Sequence, residues 1–194
     1  HFVLDPGLEP MKDFDLLTNW ADKSKLRNTL AYGVCRDARS GHHLAFPLRL
    51  QLNGQFYGVY DFMEDGDDVF LGRLGLDPDG ALYKMYNGLE AASGEKKTRR
   101  YEGNTDLRLL VRALAMPAQD RLLYLYDNIS MPAMVNYLAA MVMTACVDCC
   151  HKNYYLYRDT NGSGEWRFLP WDLDLSFGRN WTTAHTYYDD TMYY

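Results

Sequence analysis

Leu48, Leu50 and Leu52 alternate with Arg49 and Gln51, and the alternation breaks at Asn53-Gly54 before an apolar-rich run from Phe56 to Phe62. A period of two interrupted by Asn-Gly predicts a β-hairpin, because a type I′ turn needs two left-handed residues and these two reach that region at least cost. Elsewhere the spacing changes to three and four. "KLRNTLAYGVCRDA", with Asp22 or Ser24 as cap and "SGHH" as breaker, predicts a helix. "TDLRLLVRALAMP" and "QDRLLYLYDN" predict amphipathic helices parted at Met116-Pro117. Ser130 as N-cap, Pro132 in the first turn and "AMVNYLAAMVMTAC", apolar on nearly every face, predict a buried central helix. "DPDGALYKMYNG" reads as a turn and a short strand centred on Tyr83-Lys84. "NYYLYRDTNGSGEWRFLPWDLDLSFG" reads as a strand to Asp159, a Gly-rich turn at Thr160 to Gly164, and a strand at Trp166 to Leu169. "HFVLDPG" looks like a strand entering a turn, and "EDGDDVFLG" a solvated turn. Strands and a hairpin in the first half, with helices and a short hairpin in the second, predict an α+β chain compatible with two lobes.

A chain of 194 residues is within the range of one domain, and at that size folding buries roughly two-thirds of the unfolded surface or more. With 47% hydrophobic residues and no apolar run of membrane-spanning length, neither a disordered chain nor a membrane span is expected. A net charge of −6 and scattered cations disfavour nucleic acid as a partner. "EKKTRRYEG" (Glu95 to Gly103) is the one basic cluster, readable as a solvated loop or as a contact for an acidic group. Of four cysteines, Cys146, Cys149 and Cys150 lie together and only Cys35 is remote, which leaves room for at most one long-range disulfide. One cluster containing Cys146, Cys149, Cys150 and His151 is a poor zinc site, since tetrahedral sites normally draw on two separated ligand pairs.

The chemistry concentrates in "DCCHKN", where a long apolar stretch ends on Asp148 and Asn153 follows five positions later. An apolar helix, Asp-x-x-x-x-Asn, a hairpin and an Asp-hydrophobic-Asp turn make up the order of parts used for phosphoryl transfer. In that template a loop Asp orients and deprotonates the acceptor hydroxyl, and the Asn and a later Asp hold metal against the phosphates. Asp148, Asn153 and Asp172 fit the three roles. Hard oxygen ligands gather the charge of magnesium and phosphate while one carboxylate stays free to accept a proton. Asp172 and Asp174 bracket Leu173, and in an extended strand both would point to one face, where two like charges favour a cation between them. Against this, Asp148 can be read as a helix stop and Asn153 as a turn residue bonding its own backbone.

The segments "DKSKLRNTLAYGV", "LQLNGQFYGVYDFMED", "ALYKMY", "DCCHKNYYLYRD" and "WRFLPWDLDLSFG" resemble, in order, the motifs of the spore-coat-protein-H-type (CotH) kinases, with "NYYLYRD" and "PWDLDLSFG" the most diagnostic pair. The resemblance implies an atypical, bilobal protein-kinase-like fold related to secretory-pathway kinases, β-rich at its N-terminal part and helical at its C-terminal part. It implies ATP with Mg2+ (or Mn2+) as cofactors, and serine-rich secreted or surface proteins as substrates. By position it implies catalysis by Asp148 and metal binding by Asp172, with Asn153 and Asp174 assisting. Lys84, interrupting the apolar strand in "ALYKMY", is the candidate for steadying nucleotide phosphates, with Glu64 in "FMED" as its pairing partner; a snorkelling surface lysine is the other reading. An extracellular, cell-surface or spore-coat location goes with the family. An Arg-Gly-Asn-Ser-like segment that members carry upstream has no counterpart here, so the 194 residues are expected to be an incomplete CotH-like kinase domain. Two other readings stand beside the kinase: a catalytically inactive kinase-fold adhesin or coat-assembly module, and a metal-dependent hydrolase using Asp148 as base.

Overall fold

Residues 2–178 are described by a computed structural model. They begin with β1 (Phe14–Leu17), α1 (Arg27–Asp37), β2 (Ala45–Leu52), β3 (Gln55–Glu64), α2 (Asp68–Arg73), β4 (Ala81–Met85) and β5 (Gly94–Lys96). They continue with α3 (Thr105–Leu114), α4 (Ala118–Asn128), α5 (Met131–Met143), β6 (Tyr154–Arg158) and β7 (Trp166–Pro170). The fold is α+β, with the strands in two antiparallel sheets of order β1-β3-β2 and β5-β4-β6-β7. The second sheet draws strands from both halves of the chain, so strands and helices do not separate by sequence half.

The first sheet is built on the expected hairpin. Asn53 and Gly54 have φ of 52° and 79°, both left-handed as a type I′ turn requires. In the second sheet, β4 and β6 are buried on both faces. Ala81, Tyr83 and Met85 of β4, with Tyr154 and Leu156 of β6, join one apolar cluster with Leu107 and Leu110 of α3. Their alternates Leu82, Tyr155 and Tyr157 join a second cluster with Ala31, Tyr32 and Cys35 of α1 and Tyr137 of α5. This follows from the strand period of two: with both faces covered, each half of the side chains has its own core. The tyrosine-rich "NYYLY" therefore forms an interior strand.

Four expectations need correction. α5 is not buried all round: Tyr137, Ala140 and Met141 face the core, while Val135, Leu138, Val142 and Met143 are exposed, because only one side packs on α1 and β7. Ser130 stands at its N-cap, but no side-chain hydrogen bond caps the helix. "EDGDDVFLG" is not a solvated turn. Asp67 accepts the Phe70 N–H at 2.9 Å as N-cap of α2, and Phe70 and Leu71 are fully buried. The opening residues contribute an isolated bridge between Phe2 and Met11, and the strand there is β1.

Candidate active site

The β6–β7 hairpin fixes the geometry of the site. Tyr154 pairs with Pro170 at its open end, and the Trp171 N–H donates to Asn153 O at 3.2 Å. Just outside, the Val147 N–H donates to Leu175 O at 3.2 Å. The loop bearing Asp148 and Asn153 and the turn bearing Asp172 and Asp174 are thus tied side by side by backbone hydrogen bonds at two points.

Asp148 is buried to 6% exposure, and its two oxygens are treated differently. Oδ2 accepts from Asn153 Nδ2 and faces Lys152 Nζ, both at 3.0 Å, whereas Oδ1 has His151 Nε2 at 3.6 Å. Asn153, left-handed at φ 58°, also donates Nδ2 to Asp148 O at 3.3 Å. A carboxylate with one oxygen anchored by an amide and an ammonium is oriented, and its other oxygen accepts no hydrogen bond and has only the His151 imidazole at ion-pair distance. Lys152 was not singled out in the sequence, although its place four residues after Asp148 was visible.

Asp172 and Asp174 follow Pro170, where β7 ends, so strand alternation is not what brings them together. Asp172 is left-handed at φ 55°, and a turn through the fully buried Leu173 brings its carboxyl group next to that of Asp174. Burial raises the Asp172 carboxyl above the ordinary carboxylate range, and the charge of Asp148 raises it further, with Lys152, Asp174 and Lys84 opposing. Asp174 is pushed up to about 7 by burial and then by the charges of Asp172 and Asp148. Two carboxyls resisting ionisation, with Asp148 acting on both, form a hard-oxygen donor set suited to a divalent cation. Among the described residues, no three His, Cys, Asp or Glu side chains are already gathered as a metal site.

Lys84 lies on the face of β4 that carries Leu82, and its Nζ is 4.2 Å from the Trp171 ring centre, next to the acidic turn. It is half-buried rather than projecting into solvent. The expected Lys84–Glu64 pair is not formed. Both carboxylate oxygens of Glu64 are taken by Arg73, with Nε at 2.7 Å and Nη2 at 2.5 Å, and Oε2 also accepts the Leu44 N–H. The planar guanidinium fork matches a carboxylate bidentately, which a single ammonium cannot do. The basic cluster is largely paired as well: Lys96 with Glu102, Lys97 with Asp65, Arg99 with Asp79 and Glu102. All four cysteines are free thiols, with Cys149 and Cys150 Sγ 3.1 Å apart. No helix among the described residues is long and apolar enough to cross a membrane.

No curated protein matches the chain. The sequence does match one protein family, described as CotH kinase protein, over residues 5–193, which takes in every side chain of the site above. The chain belongs to the CotH kinase family.

Proposed function

We propose that the chain is a protein kinase that uses ATP and a divalent cation, Mg2+ or Mn2+, to phosphorylate serine hydroxyls of secreted, cell-surface or spore-coat proteins. In this reading residues 1–194 belong to a single kinase-like domain of bilobal type. The observation that supports it best is the oriented Asp148: one oxygen is held by Asn153 and Lys152, the other accepts no hydrogen bond and has only His151 nearby, and the acidic turn is tied alongside. Asp148 Oδ1 would accept the proton of the attacking serine as the serine oxygen bonds to the γ-phosphorus of ATP and the bond from that phosphorus to the β,γ-bridging oxygen breaks, releasing ADP. Asp172 and Asp174, assisted by Asn153, are the residues that would hold the cation, which supplies charge neutralisation at the phosphates. Lys84, whose amine lies over the Trp171 ring, is the residue that would meet a phosphate oxygen. Glu64 has no direct part in holding Lys84, since Arg73 takes both of its carboxylate oxygens.

The test is phosphate transfer from ATP to a serine-rich peptide with Mg2+ or Mn2+, read by mass spectrometry for wild type and Asp148→Asn. Loss of the proton acceptor is expected to lower the rate about a hundredfold to ten-thousandfold, with nucleotide affinity preserved. Near-normal turnover would remove Asp148 from catalysis. Nucleotide binding without transfer by the wild type would favour a non-catalytic coat or adhesin module, and hydrolysis that needs no nucleotide would favour a metal-dependent hydrolase.

A further inference from the structure

The acidic turn is held from behind by a polar face of α1. Asn28 is fully buried, and its Oδ1 accepts the N–H of Leu173 at 3.0 Å, at the one residue between Asp172 and Asp174. Its Nδ2 faces Asp61 Oδ2 at 3.5 Å, and the same oxygen accepts from Asn19 Nδ2. Asp61 is fully buried on β3, with its Oδ1 unpartnered. One residue before Asn28, Arg27 donates Nε to Ser176 O at 3.1 Å and pairs through Nη1 with Asp22. Asp22 in turn accepts the Leu26 and Arg27 N–H groups at the start of the helix.

A buried backbone N–H could be satisfied in many ways, and packing alone would favour an apolar side chain at Asn28. Here the residue just before the bonded amide is Asp172, left-handed at φ 55°, a conformation that a non-glycine residue keeps only when its surroundings fix it. The Asn28 hydrogen bond is applied at that neighbouring peptide, and Asp61 fixes the amide of Asn28 in the orientation that presents oxygen to Leu173.

We propose that Asn28, backed by Asp61, is a positioning residue that holds the Asp172-Leu173-Asp174 turn so that both carboxylates stand beside Asp148. What the turn does rests on the kinase reading; the tether itself does not, and the experiment separates the two. Amide hydrogen exchange over 171–176 is measured without metal for wild type, Asn28→Ala, Asn28→Ser and the double variant Asn28→Asp/Asp61→Asn, with Mg2+ titration of each. Serine is too short to reach Leu173 but leaves a small polar group, which guards against simple failure to fold. Losing the bond is expected to speed exchange in 171–176 on the order of tenfold in the single variants, with the β2–β3 hairpin unchanged, and to weaken Mg2+ binding by a similar factor. The double variant exchanges the two groups, keeps an acceptor for Leu173, and is expected to restore both. Unchanged exchange in 171–176, a uniform rise across the whole chain, or no recovery in the double variant would overturn the proposal. Faster local exchange in a protein whose wild type binds no Mg2+ would uphold the tether and overturn the kinase reading.

Discussion

Asp174 holds its proton up to about 7 because it is buried and faces Asp172 and Asp148. Its unfolded counterpart titrates near 4, so the folded, metal-free state binds a proton that the unfolded state has released. The stability from that proton is fully present below the unfolded value and is lost as pH rises through about 7. Asp172, also raised, adds in the same direction. A cation held by this pair, as proposed, would bind its ionised form, so its affinity would rise over the same interval. Thermal unfolding at pH 5 to 8, with and without Mg2+, is expected to show metal-free stability falling with pH and the stabilisation by Mg2+ growing. An Mg2+ effect independent of pH would remove these two carboxyls from the metal site. In a separate measurement, Asp172→Ala is expected to abolish Mg2+-dependent binding of a non-hydrolysable ATP analogue while leaving the fold intact. Unchanged calorimetric affinity would exclude it as a ligand.

At the level of elements, α2 shows what two partners remote in sequence can do. Its Arg73 closes on Glu64 at the end of β3 and also donates to His42 O, while Phe70 stacks on the buried His43 ring. Arg73→Ala leaves the Glu64 carboxylate, with 3% of its side chain exposed, without its cation. The expected cost is about 3–5 kcal/mol by denaturant unfolding, whereas Lys84→Met should cost little stability and lower nucleotide affinity. The reverse order of effects would restore a Lys84–Glu64 pairing. Gly66 gives a third case, since a Cβ there would lie 2.5 Å from the ring of the fully buried Tyr155. Gly66→Ala is therefore expected to destabilise the packing of α2 against the second sheet, read as a lower melting temperature.

These elements also mark where reading the chain succeeds. The β2–β3 and β6–β7 hairpins and the body of α1 were legible because their signals are local: Asn53-Gly54, the turn at Thr160 to Gly164, and a run of helix formers closed by "SGHH"; the cap was not, since the N-cap of α1 is Leu26 rather than Asp22 or Ser24. α2 was missed because six residues among acidic neighbours have too few turns to show a period. β1 was missed because four residues of alternating character become a strand only by pairing with β3. In the site, the loop and acidic turn could be named from order and spacing. Arg73 as the partner of Glu64, and Asn28 as the support of Leu173, depend on contacts that no local pattern encodes.

Across the whole molecule, β4 is made early and waits for its inner partner. It pairs with β5 nearby in sequence, but its other edge is completed only by β6 at Tyr154–Arg158, after α3, α4 and α5. Closing a long loop before any pairing rewards it makes such a sheet slow to assemble and exposes a strand edge in the meantime. On a ribosome the order is stricter still. Until residue 170 has left the exit tunnel, the apolar alternates of β4 have no β6–β7 hairpin to cover them, and Asp172 has not been positioned. A nascent chain halted before β6 should therefore be held by chaperones and cleaved readily by proteases, and competence to grip a ligand should arrive in one late step rather than accumulate as the chain lengthens.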